Sequence, residues 1–176
     1  MLYLRLISEK MAIHRLSIDE FDEINYELIA IHTSLEDYRL AYFINQKLPV
    51  LLSKNPDEIP ARHKEGDTWF SRFTFEQPEQ EVAWNLIQNK TEIKVPRKKA
   101  SSGDLFSDGS GTLSVAEVTA RLYLLPEFKK VDYFLKIENA AENSEEIIGK
   151  LHTIDRVSTV YTIDVGQLKS KNNLIF

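Results

Sequence analysis

Two carboxylates, Glu127 and Asp132, stand on either side of a bend that Pro126 introduces into an apolar stretch. Proline has no backbone N–H and favours an extended conformation at the preceding residue, so the bend is expected at Pro126–Lys130. As a functional pair, the carboxylates would bind a cation or a basic segment of a partner. As a structural pair, they would hold the bend and bind its lysines. Charged side chains on the solvent face of a sheet are ordinary, which favours the structural interpretation.

A second group of oxygen-bearing side chains occupies Phe106–Glu117, where aspartate, serine, threonine and glycine recur as in a calcium-binding loop. Ca²⁺ prefers oxygen ligands, and a glycine allows the tight turn of such a loop. However, Phe106 occupies the first position, which requires a carboxylate. The four histidines, at positions 14, 32, 63 and 152, have no metal-ligand spacing. We therefore predict no metal and no cofactor, and a flexible loop in place of a calcium site.

No catalytic residue is predicted, because the sequence contains neither a nucleophile elbow nor a phosphate-binding loop. The aromatic residues Trp69 and Trp84 lie on two consecutive predicted strands, and such residues mostly belong to the core. The alternative is a pocket in which these rings stack on a base or a sugar, with His32 nearby. A deep pocket with converging polar groups would favour that alternative.

The composition is that of a folded chain without disulfides. Of the 176 residues, 43% are hydrophobic, 28% are charged and none is cysteine, which suits the cytoplasm. A net charge of −5 argues against a general nucleic-acid binder, whose affinity comes from phosphate contacts. No apolar run approaches the roughly 18 residues of a membrane span. We predict a cytoplasmic protein with one domain at residues 11–176, preceded by a disordered upstream extension at residues 1–10.

Sequence periodicity predicts two units in which a helix connects two strands. In the first unit, Tyr26–Ile31 is a buried strand, and a capping box at Thr33–Glu36 begins the helix. In the second unit, Val131–Glu138 is a strand with one apolar and one charged face, and Asn143 begins the helix that follows. The charged face predicts a sheet that is covered on one side.

Between these units, Trp69–Glu76 and Val82–Gln88 predict a hairpin with its turn at Gln77–Gln80. Asn55–Asp67 is predicted to be a polar loop and residues 90–111 a mobile loop. The expected fold is α+β, a mixed or antiparallel sheet with two main helices on one face. A ferredoxin-like arrangement of the β-α-β units is the best single expectation.

The stretch Leu125–Tyr133, with the sequence Leu-Pro-Glu-Phe-Lys-Lys-Val-Asp-Tyr, resembles the signature of the IPExxxVDY family of small bacterial proteins. Leucine replaces the first isoleucine of that signature. Residues Leu35–Tyr42 and the tail Leu168–Phe176 are also similar to this family. The resemblance implies no activity, because the family is defined by its sequence. The candidate binding residues that it marks are Leu125, Pro126, Glu127, Val131, Asp132 and Tyr133.

Two functional hypotheses follow. The first is a non-catalytic cytoplasmic interaction or regulatory module, which could form a homodimer through an exposed sheet edge or bind another protein. The second is a small-molecule-binding protein or an enzyme of unrecognised type, which would use the aromatic hairpin with Glu127, Asp132 or His32.

Overall fold

The structure is a computed structural model that describes residues 26–64, 66–96, 117–139 and 143–176. At its centre is a six-stranded sheet in which every neighbouring pair of strands is antiparallel. In spatial order, its strands are β10 (Val157–Ile163), β1 (Tyr26–Thr33), β9 (Tyr133–Glu138), β6 (Val82–Gln88), β5 (Arg72–Gln77) and β2 (Ser53–Lys54).

Two helices and two separate hairpins accompany this sheet. The helices are α1 (Asp37–Lys47) and α2 (Ser144–His152); the hairpins pair β3 (Ile59–His63) with β4 (Gly66–Phe70), and β7 (Lys90–Pro96) with β8 (Glu117–Tyr123).

Four strands and both helices follow the ferredoxin-like order. Along the chain they occur as β1-α1-β6-β9-α2-β10, and in the sheet the strands lie as β10-β1-β9-β6. Because β9 and β10 are both antiparallel to β1, which lies between them, α2 connects two parallel strands in a split β-α-β unit. The strands β2–β5 are inserted between α1 and β6, and the β7–β8 hairpin between β6 and β9. The predicted α+β fold is confirmed.

Both helices pack on one face of the sheet, as predicted. Leu40 and Ile44 of α1 and Ile147 and Leu151 of α2 are fully buried there, in one hydrophobic core with the strand residues of that face. Their four-residue spacing gives each helix one apolar stripe, and burial of that stripe stabilises the helix against the sheet.

One of the two predicted helix starts is confirmed, and the other is wrong. Asn143 caps α2 as predicted, since its side chain accepts a hydrogen bond from the N–H of Glu145. The capping box predicted at Thr33 is wrong, because α1 begins at Asp37 and has no side-chain cap. The Thr33 hydroxyl accepts a hydrogen bond from the Leu35 N–H, so it forms a local turn before the helix.

The opposite face of the sheet is also covered, which corrects the prediction of a single covered side. A second core there contains Phe134 and Phe70, both fully buried. Lys136, predicted to face solvent on this side, is only 7% exposed. Its ammonium group donates to the Leu174 carbonyl at 3.0 Å and pairs with Glu138 at 2.5 Å. Internal partners therefore allow a charged residue to lie beneath the C-terminal segment.

Two predicted loops contain strands. The segment Asn55–Asp67 includes β3, which pairs with β4. The predicted strand Trp69–Glu76 is divided at Ser71 between β4 and β5, which belong to different sheets. The mobile loop predicted at residues 90–111 is wrong for residues 90–96, because β7 pairs with β8 along its whole length.

Two further predictions lie outside the described residues. They concern the upstream extension at residues 1–10, and residues 106–116 of the calcium-like stretch Phe106–Glu117. Glu117 itself is the first residue of β8.

Candidate functional site

The stretch Leu125–Tyr133 forms a bend between β8 and β9, which we call the signature bend. Pro126 begins a 3-10 turn at Pro126–Phe128, a position where the missing N–H of proline has little cost. Leu125 and Val131 are buried in the second core. The prediction that Val131 and Tyr133 share one face of a strand is therefore wrong, because β9 begins only at Tyr133.

Asn89, which the sequence did not single out, stabilises the signature bend from beneath. Its side chain is fully buried, and its Nδ2 donates to the carbonyls of Phe128 at 2.8 Å and Val131 at 2.9 Å. Its Oδ1 accepts a hydrogen bond from the Leu125 N–H at 2.9 Å, and its backbone N–H donates to the Asp132 carbonyl. One side chain thus satisfies the Leu125 N–H and the Val131 carbonyl and gives the Phe128 carbonyl a second donor beside the Val131 N–H.

Asp132 and Tyr133 hold the connection between β1 and α1. The Asp132 carboxylate accepts hydrogen bonds from the Thr33 N–H at 2.9 Å and from the Lys90 ammonium group at 2.6 Å. The Tyr133 hydroxyl donates to the Leu35 carbonyl at 3.1 Å. Burial, assisted by nearby carboxylates, raises the pKa of Tyr133 well above its usual value, so the hydroxyl stays protonated.

Glu127 contacts the C-terminal segment instead of the lysines of the bend. Its carboxylate accepts hydrogen bonds from the backbone N–H of Ser170 at 3.0 Å and from the Ser170 hydroxyl at 2.9 Å. Partial burial acts to raise the pKa of Glu127, but hydrogen bonds from its own N–H and from Ser170 outweigh it and lower the pKa. Glu127 and Asp132 thus have separate partners, and each one ties the bend to another part of the chain.

The residues of the alternative pocket lie in three different surroundings. Trp84 is 4% exposed in the first core, whereas Trp69 is 58% exposed on β4. His32 stacks on Tyr161 with 5.8 Å between the ring centroids. Trp69 does line an open groove of about 600 Å³ together with Lys54 and residues 55–58. Among the described residues, no cluster of three potential metal ligands is present.

A second groove, of about 490 Å³, runs beside the signature bend and is lined by Pro126–Val131 and Tyr161. Phe128 is half-buried in the second core and contacts Phe134 edge-to-face, so the groove has apolar and aromatic walls. Lys129 and Lys130 are exposed, and within the described part of the chain neither forms an ion pair. The groove therefore combines apolar surface with two exposed lysine ammonium groups.

Tyr161 belongs to β10, which lies at one edge of the sheet. Among the described strands, β10 pairs only with β1. Its seven residues, Val-Ser-Thr-Val-Tyr-Thr-Ile, include no charge and no proline. Natural edge strands commonly carry lysine, proline or inward-pointing charges that prevent pairing with another chain. β10 lacks all of these features.

The backbone groups that β10 presents to solvent follow from the hydrogen-bond pattern of β1. The Ile31 carbonyl accepts from the Asp132 N–H, so Ile31 is directed towards β9. Residues of an antiparallel strand alternate in direction, so Ala30 is directed towards β10, where it faces Tyr161. The N–H and carbonyl groups of Val160 and Thr162 consequently point away from the sheet.

Comparisons of the chain with protein-family models, with curated proteins and with solved structures found no match. The similarity to the IPExxxVDY signature therefore stays a prediction. Within the described ranges, no helix has the length and apolar character needed to cross a membrane.

Proposed function

We propose that this protein is a non-catalytic cytoplasmic interaction module that binds an extended chain segment along the edge of β10. The observation that carries this proposal is the uncharged edge strand with outward-directed groups at Val160 and Thr162. An extended segment that adds to a sheet edge obtains its affinity from main-chain hydrogen bonds.

The groove beside the signature bend supplies the second part of such a site. Tyr161 lies on β10 and also lines the groove. A strand added beside β10 would therefore direct every second side chain towards this groove. Specificity in strand addition comes from pockets of this kind. The ammonium groups of Lys129 and Lys130 add positive charge at the rim of this groove, beside the strand edge that the segment would occupy.

The signature bend has a structural part in this proposal. Asn89, Asp132 and Tyr133 fix the bend and the β1–α1 connection through buried or half-buried hydrogen bonds. A rigid bend keeps the groove in place before any segment binds, which lowers the entropy cost of binding.

The test is a selection of displayed ten-residue peptides against the immobilised protein. In Thr162→Pro, the outward N–H is lost without loss of a bond to β1, and proline is tolerated on the free side of an edge strand. Thr162→Val is the matched control. We expect peptides bound by the wild type and Thr162→Val to bind Thr162→Pro at least about ten times more weakly, a loss of about 1.4 kcal/mol. Equal binding to all three proteins would reject the proposal, provided that thermal unfolding shows Thr162→Pro to be folded.

A second candidate function, the binding of a neutral sugar, is favoured by the exposed indole of Trp69. This ring lines a groove together with Lys54, Asn55, Asp57 and Glu58, whose polar groups can bind hydroxyls. The test is a calorimetric titration of the protein with neutral mono- and disaccharides, with Trp69→Phe as the control. A saturable signal that Trp69→Phe removes would support this function, and its absence for every sugar would reject it.

A further inference from the structure

We infer that the segment received by β10 is the β10 strand of a second copy of this chain, paired antiparallel about a two-fold axis at Tyr161. This inference rests on the proposed function, because it names the occupant of the same edge. Closed two-fold dimers are the commonest soluble homo-oligomers, and they require a surface that is complementary to itself.

The backbone of β10 limits where such pairing can occur. The pairing of β1 with β10 is regular from Leu28 to His32 and then shifts, because Thr33 faces Val157 and not Ser158. The hydroxyl of Ser158 donates to the His32 carbonyl at this irregularity. A bulge disrupts the ladder locally, so the regular part of the edge is Thr159–Ile163. Its central residue is Tyr161.

A two-fold axis at Tyr161 uses the outward-directed backbone groups efficiently. It places Val160 of each copy opposite Thr162 of the other copy. Both residues direct their N–H and carbonyl groups away from β1, so each Val160–Thr162 pair can exchange two hydrogen bonds. Tyr161 then faces its own copy in the closer, non-hydrogen-bonded type of pair.

The side chains of β10 are compatible with this register. Thr159 faces Ile163, Val160 faces Thr162, and the two Tyr161 rings lie side by side. β-branched and aromatic cross-strand pairs of this kind stabilise antiparallel strands. Asp164 faces the uncharged Ser158, so no like charges oppose each other.

The contact between the two copies would be formed mainly by exposed side chains on both faces of β10. Tyr161 is 37% exposed in the single chain, and Thr159 and Thr162 are also exposed. Such a short strand pair buries less than the roughly 1,200 Å² that marks the lower limit of a stable standard-size interface. The dimer should therefore be in exchange with the monomer, with a dissociation constant on the order of micromolar.

The chain contains no cysteine, so a single introduced cysteine reports on the register without background. In Tyr161→Cys, the two thiols would lie on Cα atoms about 4.5 Å apart, a separation that permits a disulfide. In Thr159→Cys, the matched control on the same face, four positions separate the two cysteines along the strands. That offset corresponds to about 14 Å, which a disulfide cannot span.

The experiment is oxidation of each variant by glutathione disulfide over a concentration series, with sedimentation velocity of the wild type and Thr162→Pro. We expect cross-linking of Tyr161→Cys at least about ten times faster than that of Thr159→Cys, in keeping with the geometric limit on disulfides. We also expect a wild-type mass that rises towards two chains while Thr162→Pro stays monomeric.

Equal cross-linking rates, or a wild type that stays monomeric up to about millimolar concentration, would overturn the second copy as occupant. The proposed function would survive that result if selected peptides still required the free Thr162 N–H. If peptide binding is also insensitive to Thr162→Pro, both statements fail.

Discussion

The Oδ1 atom of Asn89 accepts a hydrogen bond from the backbone N–H of Leu125 at 2.9 Å, and the two residues are 36 positions apart in sequence. The same side chain donates to the carbonyls of Phe128 and Val131 from its amide nitrogen. Both polar atoms of the amide are therefore used, in a site closed to solvent. Neither aspartate nor alanine can supply one acceptor and two donors at this position.

Replacement of Asn89 by alanine should lower the free energy of unfolding by about 3 kcal/mol, since an unpaired buried polar group costs about 1–3 kcal/mol. The reason is that the Leu125 N–H and the Val131 carbonyl lose their partner, while the Phe128 carbonyl keeps only the Val131 N–H. Urea denaturation measures the change. Asn172→Ala is the control, because Asn172 is exposed, and it should change stability by less than about 0.5 kcal/mol. Similar values for the two variants would contradict the role of Asn89.

The Asp132 side chain should stabilise the fold by accepting hydrogen bonds as well as by its charge. Asp132→Ala leaves the Thr33 N–H without its acceptor and the Lys90 ammonium group with only the Lys130 carbonyl, and it should cost about 1–3 kcal/mol. Asp132→Asn keeps one acceptor oxygen for Thr33 and should cost less, because the ion pair is partly exposed and weak. Amide hydrogen exchange at Thr33 should accelerate strongly in the alanine variant and weakly in the asparagine variant. The reverse order would show that the carboxylate charge dominates.

The sequence predicts those parts of the fold that depend on local pattern. The strand Val82–Gln88 and the Asn143 cap of α2 were predicted within a residue, since apolar runs and capping side chains act over a few positions. The unit β9-α2-β10 was also predicted from the order of its elements.

The second face of the sheet could not be predicted in the same way. Lys136 and Glu138 look like a solvent face, but the C-terminal segment covers Lys136 and accepts its hydrogen bond. The strand β3 was missed because Pro60 and alternating polar residues are typical of a loop. Asn89 was missed because its partners lie about 40 residues away in the chain, and no local periodicity marks such a residue.

The candidate site could likewise be predicted only in part. The sequence groups Leu125–Tyr133 as one stretch, whereas the partners of Glu127 and Asp132 are Ser170, Thr33 and Lys90, which lie far away in the chain. The uncharged composition of β10 is visible in the sequence. Its position at the edge depends on the strand order of the complete sheet, which is a long-range property.

Stability at acid pH should report the hydrogen bonds of Glu127. Its pKa is lowered in the folded protein, so its contribution is present above the ordinary value of about 4.3 and is lost as pH falls through the lowered value. The stability difference between wild type and Glu127→Gln should therefore be constant near neutral pH and should shrink below about pH 4. Denaturation curves between pH 7 and pH 3 test this; Glu79→Gln, at an exposed site, is the control. A difference that does not change with pH would contradict the assignment.

Tyr133 should make the protein sensitive to alkaline pH. Its pKa is raised in the folded state, so its stabilising contribution is complete below the unfolded value of about 10 and decreases above it. At neutral pH, Tyr133→Phe should cost about 1 kcal/mol, because the Leu35 carbonyl loses its donor. Above about pH 10 that cost should diminish, since the unfolded wild-type chain can then ionise at this position. Tyr42→Phe, at an exposed site, should show no neutral-pH cost of this size.

The two tryptophans provide a direct optical test of the divided hairpin. Trp84 is 4% exposed and Trp69 is 58% exposed, although the sequence placed both on one hairpin. A Trp69→Phe variant, which keeps only Trp84, should emit at short wavelength and resist quenching by acrylamide. A Trp84→Phe variant should emit at long wavelength and be quenched readily, and it should also lose stability, by less than the roughly 3–5 kcal/mol of truncation to alanine. Trp69→Phe should be nearly neutral, because substitutions at exposed positions usually change stability by less than about 0.5 kcal/mol. Equal quenching of the two variants would contradict the assignment of Trp69 to a separate two-stranded sheet at the surface, and with it the groove offered as a sugar site.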